Sequence, residues 1–109
     1  MAQTFAVEMI GVAKALKGLG ERNIADQIER SGTSISANIA EANHPQSRSD
    51  MISKFEIALK EANETENWLS VCMRADLISE TEYTLLHKRL IRIKILLIAS
   101  IRTLKEQGA

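Results

Sequence analysis

Apolar residues recur along this chain with the period of an α-helix. Phe5, Met9, Val12, Leu16 and Leu19 are separated by 4, 3, 4 and 3 residues, which places them on one helical face. Gly18 and Gly20 follow and supply a stop, because glycine accepts the positive φ of a C-terminal cap. A second helix is predicted from near Glu21 to about Ala42, with Ile24, Ile28, Ser31, Ile35, Asn38, Ile39 and Ala42 on its inner face. Asn43-His44-Pro45 ends it, since proline lacks an N–H and restricts the residue before it.

A third helix is predicted to start between Ser47 and Asp50, where a serine can cap and an aspartate suits the positive helix end. Ile52, Phe55, Leu59, Ala62, Leu69 and Met73 form its buried face. The fourth helix opens on Ser79-Glu80-Thr81-Glu82, a capping-box pattern. Leu86, Leu90, Ile93, Leu97, Ile101 and Leu104 continue it at spacings of 4, 3, 4, 4 and 3. No strand-like alternation competes with these segments, and the connections are short, so neighbouring helices should run antiparallel. The pattern predicts an all-α fold, an antiparallel up-down-up-down four-helix bundle forming a single domain over residues 1–109.

Helix four carries more apolar surface than one core needs. Ile91, Ile95 and Ile98, spaced by 4 and 3, lie nearly opposite the Leu86–Leu90–Leu97 face, with Lys88 and Arg102 at the two ends of the stripe. On helix three, Ile57, Trp68 and Val71 lie away from the Phe55–Leu59–Leu69 face, with Glu61 and Glu64 between them. Burying such side chains contributes roughly 1.5–3 kcal/mol each, so these six residues are read as a contact between subunits.

Composition adds limits. The chain has 109 residues with 14 basic and 14 acidic side chains, a formal net charge of zero. That balance argues against coating nucleic acid by bulk electrostatics while leaving room for a local patch. It divides unevenly: residues 47–78 hold four basic and six acidic side chains, and residues 79–109 hold six and three. Acidic helix three is therefore expected to meet basic helix four of a neighbour. The single cysteine, Cys72, excludes a disulfide framework and reads as a small buried hydrophobe. No Lys or Arg precedes the first apolar stretch, and Glu8 interrupts it, so no signal peptide is read there. No uncharged apolar run of about 18 residues occurs. A cytoplasmic protein without a membrane partner is expected.

Candidate chemistry is sparse. Glu41-Ala42-Asn43-His44 is a lone Glu-x-x-His at a helix end, whereas di-iron bundles need two such motifs and two further carboxylates. Two histidines and one cysteine are too few for a closed zinc site. Gly11, Gly18, Gly20 and Gly32 match no nucleotide loop. Neither histidine has an evident orienting carboxylate at its level, so no nucleophilic triad is expected. No enzyme activity and no cofactor are predicted. Ser31 and Asn38 face inward on helix two and Glu66 on helix three, and counting from the turns puts Gln27, Glu66 and Arg89 at similar heights. These suggest a satisfied polar layer that fixes helix register. Lys88, Arg92, Arg102 and Lys105 are the candidate nucleic-acid contacts; ring symmetry would repeat such a weak patch around an assembly.

The stretch Arg30-Ser31-Gly32-Thr33-Ser34-Ile35-Ser36-Ala37-Asn38-Ile39-Ala40-Glu41-Ala42 resembles the signature of a bacterial family, the four-helix-bundle proteins named after intervening sequences in 23S rRNA genes. That family is related to the accessory variability proteins of diversity-generating retroelements. Phe55-Glu56-Ile57-Ala58-Leu59, Glu64-Thr65-Glu66-Asn67-Trp68-Leu69 and Leu77-Ile78 agree downstream, so the likeness covers roughly residues 21–105. The resemblance implies a homopentameric ring and, for retroelement members, binding to nucleic acid and to a reverse transcriptase through a basic surface. It supplies no catalytic residues; Ser31, Ser34, Asn38 and Glu66 fall in its motif and are read as structural. The nucleic-acid-binding members it resembles are markedly basic, whereas this chain is neutral. Two readings stay open: an oligomeric scaffold associated with RNA or a ribonucleoprotein, and a protein-interaction module with no nucleic-acid role.

Overall fold

The computed structural model describes residues 1–108 and consists of α1 (Ala2–Gly18), α2 (Arg22–Ala42), α3 (Arg48–Arg74) and α4 (Glu80–Gln107). Local chemistry sets the boundaries. Gly20 adopts φ +82°, its N–H donates to the Lys17 carbonyl at 3.0 Å, and the Glu21 N–H donates to the Leu16 carbonyl at 2.9 Å. This is the Schellman arrangement, which satisfies carbonyls left free by the helix end. The same motif ends α3, but there Asp76 takes the left-handed position with φ 59°, and the Leu77 N–H reaches the Cys72 carbonyl at 2.8 Å. Ser47 caps α3 by accepting from the Asp50 N–H, and Ser79 caps α4 by accepting from the Glu82 N–H, both at 3.0 Å.

Contacts between helices set their directions. Along α2 and α3, Ser31 meets Thr65 and Glu41 meets Lys54, so a rising residue number on one faces a falling number on the other. Glu66–Lys94 and Glu56–Lys105 repeat this for α3 and α4, and Lys17–Asp26 with Met9–Gly32 for α1 and α2. Consecutive helices are therefore antiparallel. The closing contact, between α1 and α4, is the thinnest between neighbouring helices. The molecule measures 49 × 22 × 18 Å, and α4 with 28 residues spans about 42 Å of the long axis.

The core lies along that axis. Phe5, Met9 and Leu16 of α1 meet Ile28 and Ile35 of α2, Leu69 of α3 and Leu90 of α4, all fully buried. Small residues allow close approach: Ala58 and Ala62 line the inner face of α3, and Gly32 packs directly on α1. A Cβ at Gly32 would fall 2.5 Å from Met9 Cγ, closer than non-bonded carbons come. Leu19, expected on the α1 core face, is 62% exposed. It is the C-cap of α1, one residue beyond the last helical position, where the helical period no longer directs its side chain inward.

The inward polar residues satisfy one another differently from the predicted layer. Thr65 shares a 2.8 Å hydrogen bond with Ser31 in the core, and its hydroxyl lies 2.8 Å from the Glu61 carbonyl. Asn38 donates to the Ser34 carbonyl one turn back at 2.9 Å, so this part of the motif serves α2 itself. Gln27 is exposed, Arg89 pairs with Glu8 of α1, and Glu66 turns to α4. Counting from the turns gave height along the axis but not direction around each helix. These three side chains leave their helices on different flanks.

Candidate functional site

The six residues read as a subunit contact lie on two separate edges. Ile57, Trp68 and Val71 share an edge of α3 with Glu61 and Glu64 (spacings 4, 3, 4 and 3). Arg30 of α2 bridges those two carboxylates, at 3.2 Å to Glu61 and in close contact with Glu64, which fixes this edge on the α2 flank of α3. Ile57 and Val71 are exposed, whereas Trp68 packs against the core. The Trp68 indole N–H is buried without an acceptor, an unusual condition in a folded protein.

The other edge belongs to α4. Ile95 is 60% and Ile98 42% exposed, with Ile91 half-buried beside them. The candidate nucleic-acid contacts bracket this stripe. Lys88 lies one turn before it, Arg92 beside it, and Arg102 and Lys105 after it; all four are exposed. Among the described residues, Lys88, Arg92 and Arg102 have no carboxylate within the 4.0 Å of an ion pair, while Lys105 meets Glu56 at 3.2 Å. Between α3 and α4 runs a groove of about 770 Å³, with Leu59, Ile98 and Ile101 as its apolar lining and Lys60, Arg102 and Lys105 among its charged residues.

Two expectations require correction. His87 does have a carboxylate at its level: Glu66 Oε2 lies 2.7 Å from His87 Nε2, and the other oxygen accepts from Lys94 Nζ at 2.8 Å. Tyr83 stacks on the His87 ring with centroids 5.3 Å apart. The hydrogen bond from Lys94, aided by the one shared with His87, holds the Glu66 carboxyl below the usual carboxylate range against the opposing effect of burial. Second, the acidic charge of helix three is not all left free for a neighbour. Glu56, Glu61, Glu64 and Glu66 all meet cations of their own chain. Arg30 likewise lowers the Glu64 pKa, chiefly through their hydrogen bond. Sequence reasoning also missed Leu85 and Leu96, both about half exposed. Their separation of eleven residues, three helical turns, is the signal that α4 is apolar on a third side.

No group of three or more metal-ligating side chains converges among the described residues, and Glu41 pairs with Lys54 at 3.3 Å. Burial lifts the Cys72 thiol to about 11, which keeps it protonated and unreactive at neutral pH. No helix of the described residues is long and apolar enough to cross a membrane.

The family described as 23S rRNA-intervening sequence protein matches residues 1–99 of this chain. The chain belongs to that family. A crystal structure of a protein of unknown function from the S23 ribosomal protein family of Bacteroides thetaiotaomicron VPI-5482 superimposes with a TM-score of 0.90 at 44% identity, covering 93% of this chain and 91% of that one. No curated protein matches. For this member of the 23S rRNA-intervening sequence proteins, the motif from Arg30 to Ala42 does structural work. Its Ser31 joins α2 to α3, its Gly32 admits Met9, and its Asn38 donates to the Ser34 backbone carbonyl within α2.

Proposed function

We propose that this member of the 23S rRNA-intervening sequence protein family is a non-enzymatic homo-oligomeric scaffold, pentameric as its resemblance to ring-forming relatives implies. In this reading it acts as an accessory factor to RNA, or to a ribonucleoprotein such as a reverse transcriptase complex. The observation that supports it is the α4 stripe: exposed isoleucines at Ile95 and Ile98, bracketed by Lys88, Arg92 and Arg102, which are free of ion pairs among the described residues. An apolar strip of this kind suits burial against protein, and unpaired cations beside it suit phosphate.

The test has two parts. Light scattering of the purified chain should give a multiple of its 12.1 kDa mass. Structured RNA should be retarded at low salt and released as salt rises, because phosphate contacts expel counterions. A monomeric mass at all concentrations rejects the scaffold. An oligomer that does not retard RNA favours the second reading, a protein-interaction module. The neutralisation of Lys94 by Glu66 and of Lys105 by Glu56 supports that alternative, since it removes two cations from the surface available to phosphate.

A further inference from the structure

Opposite charges face one another at two levels between α3 and α4. Lys94 meets Glu66 at 2.8 Å, and further along Lys105 meets Glu56 at 3.2 Å. One turn inside the second bridge that pattern breaks. Lys60 stands four residues along α3 from Glu56, and Arg102 stands three residues back along α4 from Lys105. In antiparallel helices these two cations share a level. They line one groove of about 770 Å³ from its two walls, and neither has an ion pair among the described residues. The carboxylates nearby are largely committed. Glu56 is held by Lys105, and Glu64, one turn on from Lys60, is held by Arg30. Glu106 also lines the groove, so its lining sets three cations against two carboxylates.

Beneath the two cations the groove is apolar, with Leu59, Ile98 and Ile101 in its lining and Ile98 42% exposed. Like charges facing each other across such a surface repel. An anion placed between them removes that repulsion, and an apolar chain attached to it covers the floor. Small-molecule sites commonly combine these parts, a mostly apolar lining with a few placed polar groups. A carboxylate head suits the pair, because it can accept from a guanidinium and from an ammonium at once.

We propose that the α3–α4 groove binds a medium-chain fatty acid, its carboxylate between Lys60 and Arg102 and its chain against Leu59, Ile98 and Ile101. The lining on α4 runs from Ile98 to Glu106, about 12 Å of helix, which limits the length of chain it can cover. This site stands independently of the oligomeric and RNA readings above.

Calorimetric titration of the full chain with sodium dodecanoate, kept below its micellar concentration, tests the site. Binding should saturate at one molecule per chain. Arg102→Gln and Lys60→Gln, both at exposed positions, should each weaken it about tenfold, the worth of a hydrogen bond to a charged group. Circular dichroism should show both variants as helical as wild type. Dodecanol, which has the chain without the charge, should bind about tenfold more weakly for the same reason. Hexanoate, which keeps the charge and half the chain, should lose still more, since each buried methylene is worth up to about fourfold. In methyl spectra, Ile98 and Ile101 should shift on adding dodecanoate, while the fully buried Ile28 and Ile35 stay in place. The absence of saturable binding overturns the proposal. Binding that neither glutamine variant weakens also overturns it, because the chain then sticks without regard to the cations. Inorganic phosphate binding as tightly as dodecanoate overturns it too, since the groove then holds the charge alone.

Discussion

Gly32 and Asp76 are single positions at which the backbone decides what is tolerated. At Gly32 the added methyl of Gly32→Ala would press on Met9, so that variant should lose ~1–3 kcal/mol, the usual range for an overpacked core. Adding Met9→Ala should return part of that loss, as a double-mutant cycle in urea would measure. Asp76 holds a left-handed φ of 59° that costs a non-glycine residue ~1–2 kcal/mol. Asp76→Gly should therefore stabilise the chain by ~0.5–1 kcal/mol after the greater freedom of glycine in the unfolded state is counted, seen as a higher urea midpoint. Gly20 was legible in the sequence because glycine announces a cap. Asp76 was not, since aspartate fits many turn positions and only the completed Schellman bonds single it out. Ser31 was legible as an inward position, but its partner Thr65 was not, because periodicity within one helix does not say which residue of another it will meet.

At the level of elements, the helices, their order and most of their inner faces could be read from the 3.6-residue period alone. The flanks could not. Charged residues there are placed by rotation around each helix, which is how Glu66 came to bind His87 and Lys94 instead of a layer with Gln27 and Arg89. This α3–α4 link has a pH signature. Because the folded chain holds the Glu66 carboxyl below the ordinary value of 4.5, the folded state takes up its proton less readily than the unfolded state does. The resulting stability is complete above pH ~4.5 and is lost as pH falls through the lowered folded value. The stability advantage of wild type over Glu66→Gln should accordingly be largest near neutrality and shrink in acid, as denaturant titrations at several pH values would show. The exposed stripe of α4 was legible for the same reason the core was: isoleucines at helical spacing line one face. The division of the candidate contact residues between two edges needed the Arg30 bridge to fix which way α3 faces.

For the whole molecule, part of the charge balance is settled by pairs inside the chain. Ion pairs tie every consecutive pair of helices and close the ring between α4 and α1, and Lys88, Arg92 and Arg102 are among the cations without such a pair among the described residues. Charge reversal at Arg102 should consequently weaken RNA retardation and lower its salt dependence while leaving stability near wild type, since the side chain is exposed and a surface position of this kind shifts stability by about 0.5 kcal/mol or less. The bundle also carries its own reporter. Cys72 is the sole thiol, fully buried between α3 and its neighbours, so a thiol reagent can reach it only when that packing opens. Its modification rate in native buffer would then measure the free energy of opening without any denaturant, and a slower rate at high protein concentration would reveal how far contact between copies holds the bundle shut.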